Sequence, residues 1–289
     1  GASVGDGIWL HTGGVLTQVV RTGAPLFGLT VDALLSEPKL NNAGAVAFIA
    51  SFQSGFTFVS GTPGALSRYP VSAGTASMFP ADVVFTTPTL SALNDVGQIA
   101  LTEQISYVGV PADADSCVMV RSLGQTSNQI VALEGAQAPD MASGVRFGDL
   151  LNAGVSLNNF GAVAFRCVLS SGGTGLFSNA GGSMRLIAHT GTQVPGEAPG
   201  VQFISLDRCV LNDRGTVAFR AVFAGPGADG VEAVCVKPLG GALSVVARTD
   251  VDAPGLSSCR RIQTIGTGIV LNRAGQVLVP VTLRAGGGV

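Results

Sequence analysis

Charge is what this sequence has least of: charged residues make up only 12% of its 289 residues. The 16 Lys and Arg and the 18 Asp and Glu give a formal net charge of -2. The basic residues are scattered, and the densest spot, Arg260 and Arg261 after Cys259, is typical of a strand edge. Because a basic patch is what attracts nucleic acid or anionic lipid, we expect neither as a partner.

Long apolar runs and paired metal ligands are also missing. No run reaches the roughly 18 apolar residues that a membrane-spanning helix needs, so the sequence predicts no membrane span. The 2 histidines and 5 cysteines include no closely spaced pair, which argues against zinc. We predict no catalytic residue, no cofactor and no metal ion. Weak candidates for calcium ligands are the acidic loop residues Asp113, Asp115, Asp250 and Asp252.

The cysteines stand far apart in the sequence. An odd number leaves at least one thiol without a partner in the chain, and the sequence does not decide whether the others form a disulfide. The interpretation we favour is buried free cysteine that acts as a small hydrophobic side chain. The positions are Cys117, Cys167, Cys209, Cys235 and Cys259.

Glycine and strand-forming residues are abundant instead. The sequence contains 41 glycines, and 46% of its residues are hydrophobic, which is unlike the composition of a disordered chain. Segments rich in Val, Leu, Ile, Phe and Thr lie between the glycines, as expected for short strands separated by turns. We predict an all-β protein.

One short pattern, Leu-Asn-x-x-Gly-x-[Val/Ile]-x-[Phe/Leu/Val], occurs five times in the chain. Its copies span residues 40–48, 93–101, 157–165, 211–219 and 271–279. Their asparagines are 53, 64, 54 and 60 residues apart, a spacing typical of an array of similar units. Repeats that extend from end to end predict one domain over residues 1–289.

The constant residues of the pattern predict a hairpin turn. The Asn side chain caps a type I turn, and the Gly accepts the positive φ at its end without a Cβ clash. The two middle positions differ between copies, as a turn allows. The predicted turn residues are Asn41, Gly44, Asn94, Gly97, Asn158, Gly161, Asn212, Gly215, Asn272 and Gly275.

An apolar run such as VAFRAVF follows each turn and indicates a strand covered on both faces. With three further short strands, each unit has the four strands of a β-propeller blade. The chain opens with a second strand, GIWLHT, and closes with a first strand, VLVPVTL. We predict a five-bladed β-propeller of four-stranded antiparallel blades, with the first blade closed by the N- and C-terminal strands. A β-solenoid is the alternative.

The Asn-x-x-Gly-x-x-Ala-Phe signature is complete in the copies at Asn41, Asn158 and Asn212 and degenerate at Asn94 and Asn272. It resembles a family of bacterial surface proteins described as NxxGxxAF tandem-repeat proteins with a choice of membrane or wall anchors. The resemblance spans essentially the whole chain. It implies export, tandem repetition and display at the cell surface, and it implies no catalytic residues.

One position suggests a ligand. The strands after the turns, which we expect to line the axial channel of a propeller, carry Arg166 and Arg220 directly after the Phe position. The two arginines of neighbouring blades could bind a carboxylate, phosphate or sulfate there, with Glu103 as a partner of one of them. The alternative interpretation is an inter-blade ion pair, or arginines exposed outside the channel.

These observations favour a non-enzymatic structural or interaction module that is secreted or displayed at the cell surface. Low charge and high hydrophobicity suggest apolar surface for copies of itself or other surface components, and self-assembly into a filament or coat is a concrete form of this hypothesis. The alternative is a glycan- or small-anion-binding propeller, or a propeller enzyme with its site at the channel. A third is an excerpt of a longer array whose unpaired edge strands drive polymerisation.

Overall fold

The computed structural model of the chain describes residues 5–70, 84–85, 89–106, 114–122, 128–256 and 260–285. All regular elements within these ranges are strands, so the predicted all-β class is confirmed. No helix among the described residues is long and apolar enough to cross a membrane. The chain divides into two compact units, residues 1–132 (unit 1) and residues 133–289 (unit 2). The single domain expected from the repeats stays a prediction.

Unit 1 consists of short strands joined by turns. In chain order they are β1 (Gly7–Thr12), β2 (Val15–Arg21), β3 (Pro25–Leu26), β4 (Leu29–Thr30), β5 (Ala33–Leu34), β6 (Lys39–Leu40), β7 (Val46–Phe52), β8 (Gly55–Thr62), β9 (Ala65–Pro70), β10 (Val84–Phe85), β11 (Thr89–Leu93), β12 (Gln98–Ser106), β13 (Ser116–Ser122) and β14 (Asn128–Leu133).

Unit 2 is built in the same way. Its strands are β15 (Ser156–Leu157), β16 (Val163–Val168), β17 (Thr174–Ser178), β18 (Arg185–His189), β19 (Gln202–Leu211), β20 (Val217–Ala224), β21 (Val231–Lys237), β22 (Ser244–Arg248), β23 (Arg260–Ile265), β24 (Val270–Leu271), β25 (Val277–Leu278) and β26 (Val281–Ala285).

Each complete sheet of unit 2 has four antiparallel strands in chain order. The orders are β15-β16-β17-β18 and β19-β20-β21-β22. The Leu-Asn turn joins the first strand of a sheet to the second: Leu211, at the end of β19, pairs with Val217, at the start of β20. The repeated turn is therefore the hairpin that opens each sheet.

This order corrects the expectation that the strand after each turn, such as β16 or β20, comes first in its sheet; that these strands line a channel stays a prediction. A hairpin turn forces its two flanking strands to pair, so the strand that ends at Leu-Asn occupies the edge and the strand after the turn comes second. Neighbouring sheets meet through these edge strands, since β19 contacts both β15 and β24.

The complete sheets of unit 1 follow the same plan with an interrupted first strand. In one, β5 and β6 both pair with β7, which is followed by β8 and β9. In the other, β10 and β11 both pair with β12, which is followed by β13 and β14. Each of these five-stranded sheets is thus a four-stranded one whose edge strand is broken in two.

Apolar side chains on both faces of the middle strands build the cores. In unit 2, Phe203, Phe219 and Phe223 belong to one buried cluster, and the rings of Phe203 and Phe223 meet edge to face with centroids 5.3 Å apart. In unit 1, Phe48 and Val59 belong to a second cluster of buried apolar side chains. The strands after two of the turns, β7 and β20, are covered on both faces, as their continuous apolar runs predict. The same prediction is wrong for the run after the last turn, where β25 is at most half-buried and β26 is exposed.

The first and last sheets have fewer strands than the others. Among the described residues β1 pairs with β2 alone, β26 with β23 alone, and β25 with β24 alone. The pairing that would close a five-bladed ring is not among these sheets, so the propeller and its composite first blade stay predictions.

Candidate functional site

The five repeated turns share one hydrogen-bonded geometry. In the turn at residues 212–215, the N–H of Gly215 donates to the carbonyl of Asn212 over 3.0 Å, and Gly215 has a φ of 74°. The Oδ1 of Asn212 accepts from the N–H groups of Arg214 and Thr216 at 3.0 and 2.9 Å. The same Gly-to-Asn bond closes the turns at Asn41, Asn94, Asn158 and Asn272.

The asparagines also connect successive repeats, which the sequence pattern does not reveal. The Nδ2 of Asn158 donates to the carbonyl of Asn212 over 3.2 Å, and the Nδ2 of Asn212 donates to the carbonyl of Asn272 over 2.8 Å. In unit 1, Asn41 donates in the same way to Asn94 over 3.0 Å. We call this series of side-chain to backbone bonds the asparagine ladder.

A second contact runs alongside the asparagine ladder. The residue after the asparagine, Asn159, donates from its N–H and its Nδ2 to the two carboxylate oxygens of Asp213, at 2.9 and 3.2 Å. Asn42 binds Asp95 by the same two bonds. The alternation of Asn and Asp at this position of the repeats is therefore a donor–acceptor pairing between neighbouring turns.

Replacing Asn212 with alanine is expected to lower the free energy of unfolding by about 2 kcal/mol, because a buried side chain that makes three hydrogen bonds is lost. The matched control is Asn272→Ala. Asn272 is exposed, and its Nδ2 donates to Gln276 of its own turn, so we expect a loss of about 1 kcal/mol or less. Urea unfolding of both variants measures the difference in unfolding free energy. If the two variants lose the same amount, the asparagine ladder is not the cause of the loss at Asn212.

Arg220, one of the predicted ligand-binding residues, already binds other groups of the protein. Its Nη1 lies 2.6 Å from Asp207 on β19, its Nη2 lies 2.6 Å from Glu232 on β21, and its Nε donates to the carbonyl of Ile265. Burial lowers the pKa of Arg220, but the hydrogen bond to Asp207 and both negative charges raise it overall. Asp207 and Glu232 therefore pair with Arg220 inside its own sheet, whereas the alternative interpretation expected a pair between blades.

Arg166 occupies the matching position on β16 without such partners. Its backbone N–H donates to Ala153, and its Nε is buried with no hydrogen bond in the described chain. The position that corresponds to Glu232 is Thr174, which pairs with Val168 just as Glu232 pairs with Val222. The carboxylates at Arg220 are thus a feature of one sheet and not of the repeat.

Glu103 lies on β12 in unit 1, and the positive charge that affects its proton is that of Arg121 on β13. Burial raises the pKa of Glu103 to about 8, and the positive charge of Arg121 opposes this shift. Its Oε2 is buried without a hydrogen-bond partner. The raised pKa keeps Glu103 largely protonated at neutral pH, and its predicted role as a partner of Arg166 or Arg220 stays a prediction.

The described cysteines are free and buried: Cys117, Cys167, Cys209 and Cys235. Burial raises the pKa of Cys167, Cys209 and Cys235 to about 12, so these thiols stay protonated at neutral pH. Protonated buried thiols are poor nucleophiles, which fits the predicted role as small hydrophobic side chains. Cys259 lies outside the described residues.

The acidic loop residues mostly bind protein groups. Asp250 is paired with Arg284, and Asp252 lies 3.3 Å from Arg261. Asp115 accepts a hydrogen bond from Gln104 over 3.2 Å, and Asp113 lies outside the described residues. In the described ranges no group of three or more His, Cys, Asp and Glu residues is arranged to hold a metal ion.

Acidic loops fasten the outer strands of the complete sheets in unit 2. Before β15, Asp140 accepts from the N–H of Leu186 on β18 at 3.0 Å and lies 3.2 Å from Nε of Arg185, beside a cleft of about 310 Å³. Before β19, both oxygens of Glu197 accept from Nη1 of Arg248 on β22 at 2.5 Å. Each of these loops precedes the first strand of its sheet and binds the last strand, so it links the two edges of the sheet.

Strands of the incomplete sheets are exposed at positions where the matching strands of complete sheets are buried. All residues of β26 are exposed, whereas those of β20 are buried or half-buried. At the other end of the chain, Trp9 of β1 is 47% exposed. The N–H and C=O groups of an exposed strand edge are the groups that can pair with another strand.

Comparison with known proteins gives a family and no activity. Residues 1–288 match a family described only as a family of unknown function, DUF7453. The chain belongs to this family. No curated protein matches it.

Two solved structures show a weak likeness to the DUF7453 chain. One, from a structural and mechanistic analysis of two prolyl endopeptidases, is 11% identical with a TM-score of 0.37, and the match covers 96% of this chain and 46% of that one. The other, a protein of unknown function from Dyadobacter fermentans DSM 18053, is 13% identical with a TM-score of 0.35, covering 86% and 77%. The DUF7453 chain therefore spans less than half the length of the first protein.

Sequence reasoning missed the residues that act across strands or loops in the DUF7453 chain. Asp207, Glu232 and Glu197 carry no local motif, because their partners lie on other strands. One signal was present at Asp140. It has a φ of 62° at a turn position where the next sheet has Gly196, so an aspartate stands where the backbone favours glycine.

Proposed function

We propose that the chain is a non-enzymatic structural module that associates with copies of itself through its incomplete sheets. The repeats that form the middle of the chain complete their own four-stranded sheets, whereas the first and last sheets contain two strands each among the described residues. Display outside the cell and a five-bladed arrangement of the sheets are part of this proposal.

The exposure of β26 is the observation that carries the proposal. Val281 and Leu283 of β26 are 40% and 39% exposed, whereas Ala221 and Phe223, which occupy the same places in β20, are buried. Burial of apolar side chains is worth roughly 25 cal/mol per Å² of area removed from water, and an open edge adds backbone hydrogen bonds. The chain therefore gains free energy when another strand covers this edge.

The other candidate groups support a non-enzymatic role. The carboxylates at Arg220 bind that arginine, the described thiols are buried and protonated, and Nδ1 of His189 lies 2.8 Å from the carbonyl of Thr190. Each of these side chains has a structural partner or a structural environment. Together with the exposed strands of the incomplete sheets, these contacts of the described residues support an interaction role.

Sedimentation over a range of protein concentrations and electron microscopy test the proposal. We expect the parent chain to form higher assemblies, and Val281→Lys to reduce them, because a charged side chain on an edge strand opposes pairing with another strand. The matched control is Val96→Lys, which places a charge in a repeat turn where Arg214 stands in another copy. A parent chain that stays monomeric at every concentration overturns the proposal, as does equal loss of assembly in both variants.

A further inference from the structure

We propose that Arg166 and Arg208 of unit 2 form a binding site for a small oxyanion of the phosphate or sulfate class. Arg166 lies on β16, and Arg208 lies on β19, the first strand of the following sheet. Arg208 takes the place of Arg220 in the anion site expected from the sequence. The site belongs to a single chain and is independent of the proposed self-association.

The side chain of Arg166 leaves β16 on the face that packs against β19. Leu176 pairs with Arg166 across the two strands, and directly paired residues share a face of the sheet. Leu176 is fully buried, in an apolar cluster that includes Leu206 and Cys209 of β19. The guanidinium of Arg166 therefore extends from its own sheet towards β19.

The next repeat shows the same arrangement with its hydrogen bonds complete. Val234 pairs with Arg220 and is buried in a cluster with Ile265 of β23. The Nε of Arg220 donates to the carbonyl of Ile265 over 2.8 Å. The two Nη atoms of Arg220 bind the carboxylates of Asp207 and Glu232. An arginine at this position of the repeat thus directs its guanidinium to the next sheet and uses all its nitrogens there.

Arg166 has the same position in its sheet and none of these partners. Its Nε is buried and makes no hydrogen bond with the described residues. The side chain as a whole is half-buried, so its outer end reaches solvent. Burial of a charged donor without an acceptor is unfavourable, and a bound anion removes that cost. The unpartnered Nε therefore points to a ligand that accepts hydrogen bonds.

Arg208 brings a second positive charge to the segment that Arg166 contacts. The N–H of Arg166 donates to the carbonyl of Ala153 over 3.0 Å. Arg208 lies against the next residue, Gly154: its Cδ and Nε are 2.7 and 2.8 Å from the place that a Cβ on Gly154 would occupy. Residues 153–154 are therefore contacted by both arginines, one from each of two neighbouring sheets.

Gly154 makes the position of Arg208 possible. Its φ of 61° favours glycine, and any other residue would place a Cβ against the aliphatic part of the Arg208 side chain. Arg208 can lie on the backbone of residue 154 only because no Cβ is present. Its place is thus set by a glycine and not by an acidic partner.

The carboxylates near the two arginines in the sequence bind other groups. Asp207, which precedes Arg208, lies 2.6 Å from Arg220. Asp149 accepts from the N–H of Leu151 over 2.8 Å. Within the part of the chain that the structure describes, no Asp or Glu forms an ion pair with Arg166 or Arg208. The positive charge at residues 153–154 is therefore uncompensated, which favours an anion.

Two arginines favour a tetrahedral oxyanion over a carboxylate. A guanidinium donates two parallel N–H bonds to a pair of oxygens. One such fork satisfies the two oxygens of a carboxylate, whereas phosphate and sulfate carry further oxygens and can accept from both arginines. The ligand class is therefore phosphate or sulfate, as a free ion or as a group on a larger molecule.

Calorimetric titration with inorganic phosphate tests the site. We expect saturable binding by the parent chain. Arg166→Met and Arg208→Met are each expected to weaken it about tenfold, because each removes charge-assisted hydrogen bonds. The matched control is Arg273→Met, which removes the same charge from unit 2 at a side chain that is 78% exposed and leaves the phosphate affinity unchanged. Acetate is expected to bind the parent more weakly than phosphate does.

Arg208→Met decides the test if Arg166→Met fails to fold, because Arg208 is exposed. Absence of saturable phosphate binding by the parent overturns the proposal. So does binding that both variants retain, or an equal loss in Arg273→Met. Methyl phosphate identifies the source of the ligand: binding as tight as that of inorganic phosphate supports a phosphoryl group on a larger molecule, and weaker binding of the ester supports the free ion.

Discussion

The free energy of unfolding is expected to fall by about 4 kcal/mol between pH 4.5 and pH 8 through Glu103 alone. Burial raises the pKa of this carboxyl from 4.5 to about 8, so the folded chain keeps a proton that the unfolded chain releases. The stabilisation is fully present below pH 4.5, declines through this window and is lost above about pH 8. Urea unfolding at several pH values measures it.

Two variants separate Glu103 from the other titrating groups. Glu103→Gln keeps the shape of a neutral carboxyl and is expected to remove this part of the pH dependence, so that it unfolds at higher urea concentration than the parent near pH 8. Glu37→Gln is the matched control, because the Glu37 side chain is 91% exposed and its loss leaves the slope unchanged. A parent slope that persists in Glu103→Gln would rule out Glu103 as its origin.

Replacing Arg220 with methionine is expected to lower the free energy of unfolding by about 3 kcal/mol. The change leaves Asp207 and Glu232 without the cation that both bind at 2.6 Å. Removing one partner of a largely buried ion pair costs about 3 to 5 kcal/mol, and the lower end applies because the two carboxylates keep some exposure to water. The midpoint of urea unfolding reports the loss.

Arg166→Met is the matched control for that variant, since Arg166 has the same place in its sheet and no ion pair in the described chain. We expect its unfolding free energy to change by about 1 kcal/mol or less. Adding Asp207→Asn and Glu232→Gln to Arg220→Met is expected to recover part of the loss, because no buried charge is then left over. Equal effects of Arg166→Met and Arg220→Met would contradict the role of the two carboxylates.

The turns were predictable from the sequence because their causes are local. A type I turn needs a capping side chain at its start and a residue that accepts positive φ at its end, and both lie within four positions. The φ of Gly215 and the bonds to Asn212 have this form. The all-β class follows from the same short-range features.

The partners of Arg220 were not predictable because they depend on strand register. Asp207 precedes Arg220 by 13 residues and Glu232 follows it by 12 residues, and only the pairing of three strands brings them together. The strand order is not predictable from the repeat for a related reason. The pattern marks where a repeat begins, but the turn joins two strands of the same sheet.

The asparagine ladder gives the chain a direction. Asn158 donates to Asn212, and Asn212 donates to Asn272, so every bond of this series in unit 2 runs from an earlier repeat to a later one. The turn at Asn212 thus offers its carbonyl to the repeat before it and its side-chain amide to the repeat after it. A tandem duplication of one whole repeat would therefore preserve the asparagine ladder but place two like residues together in the Asn–Asp pairing, whereas duplication of two neighbouring repeats would preserve both contacts.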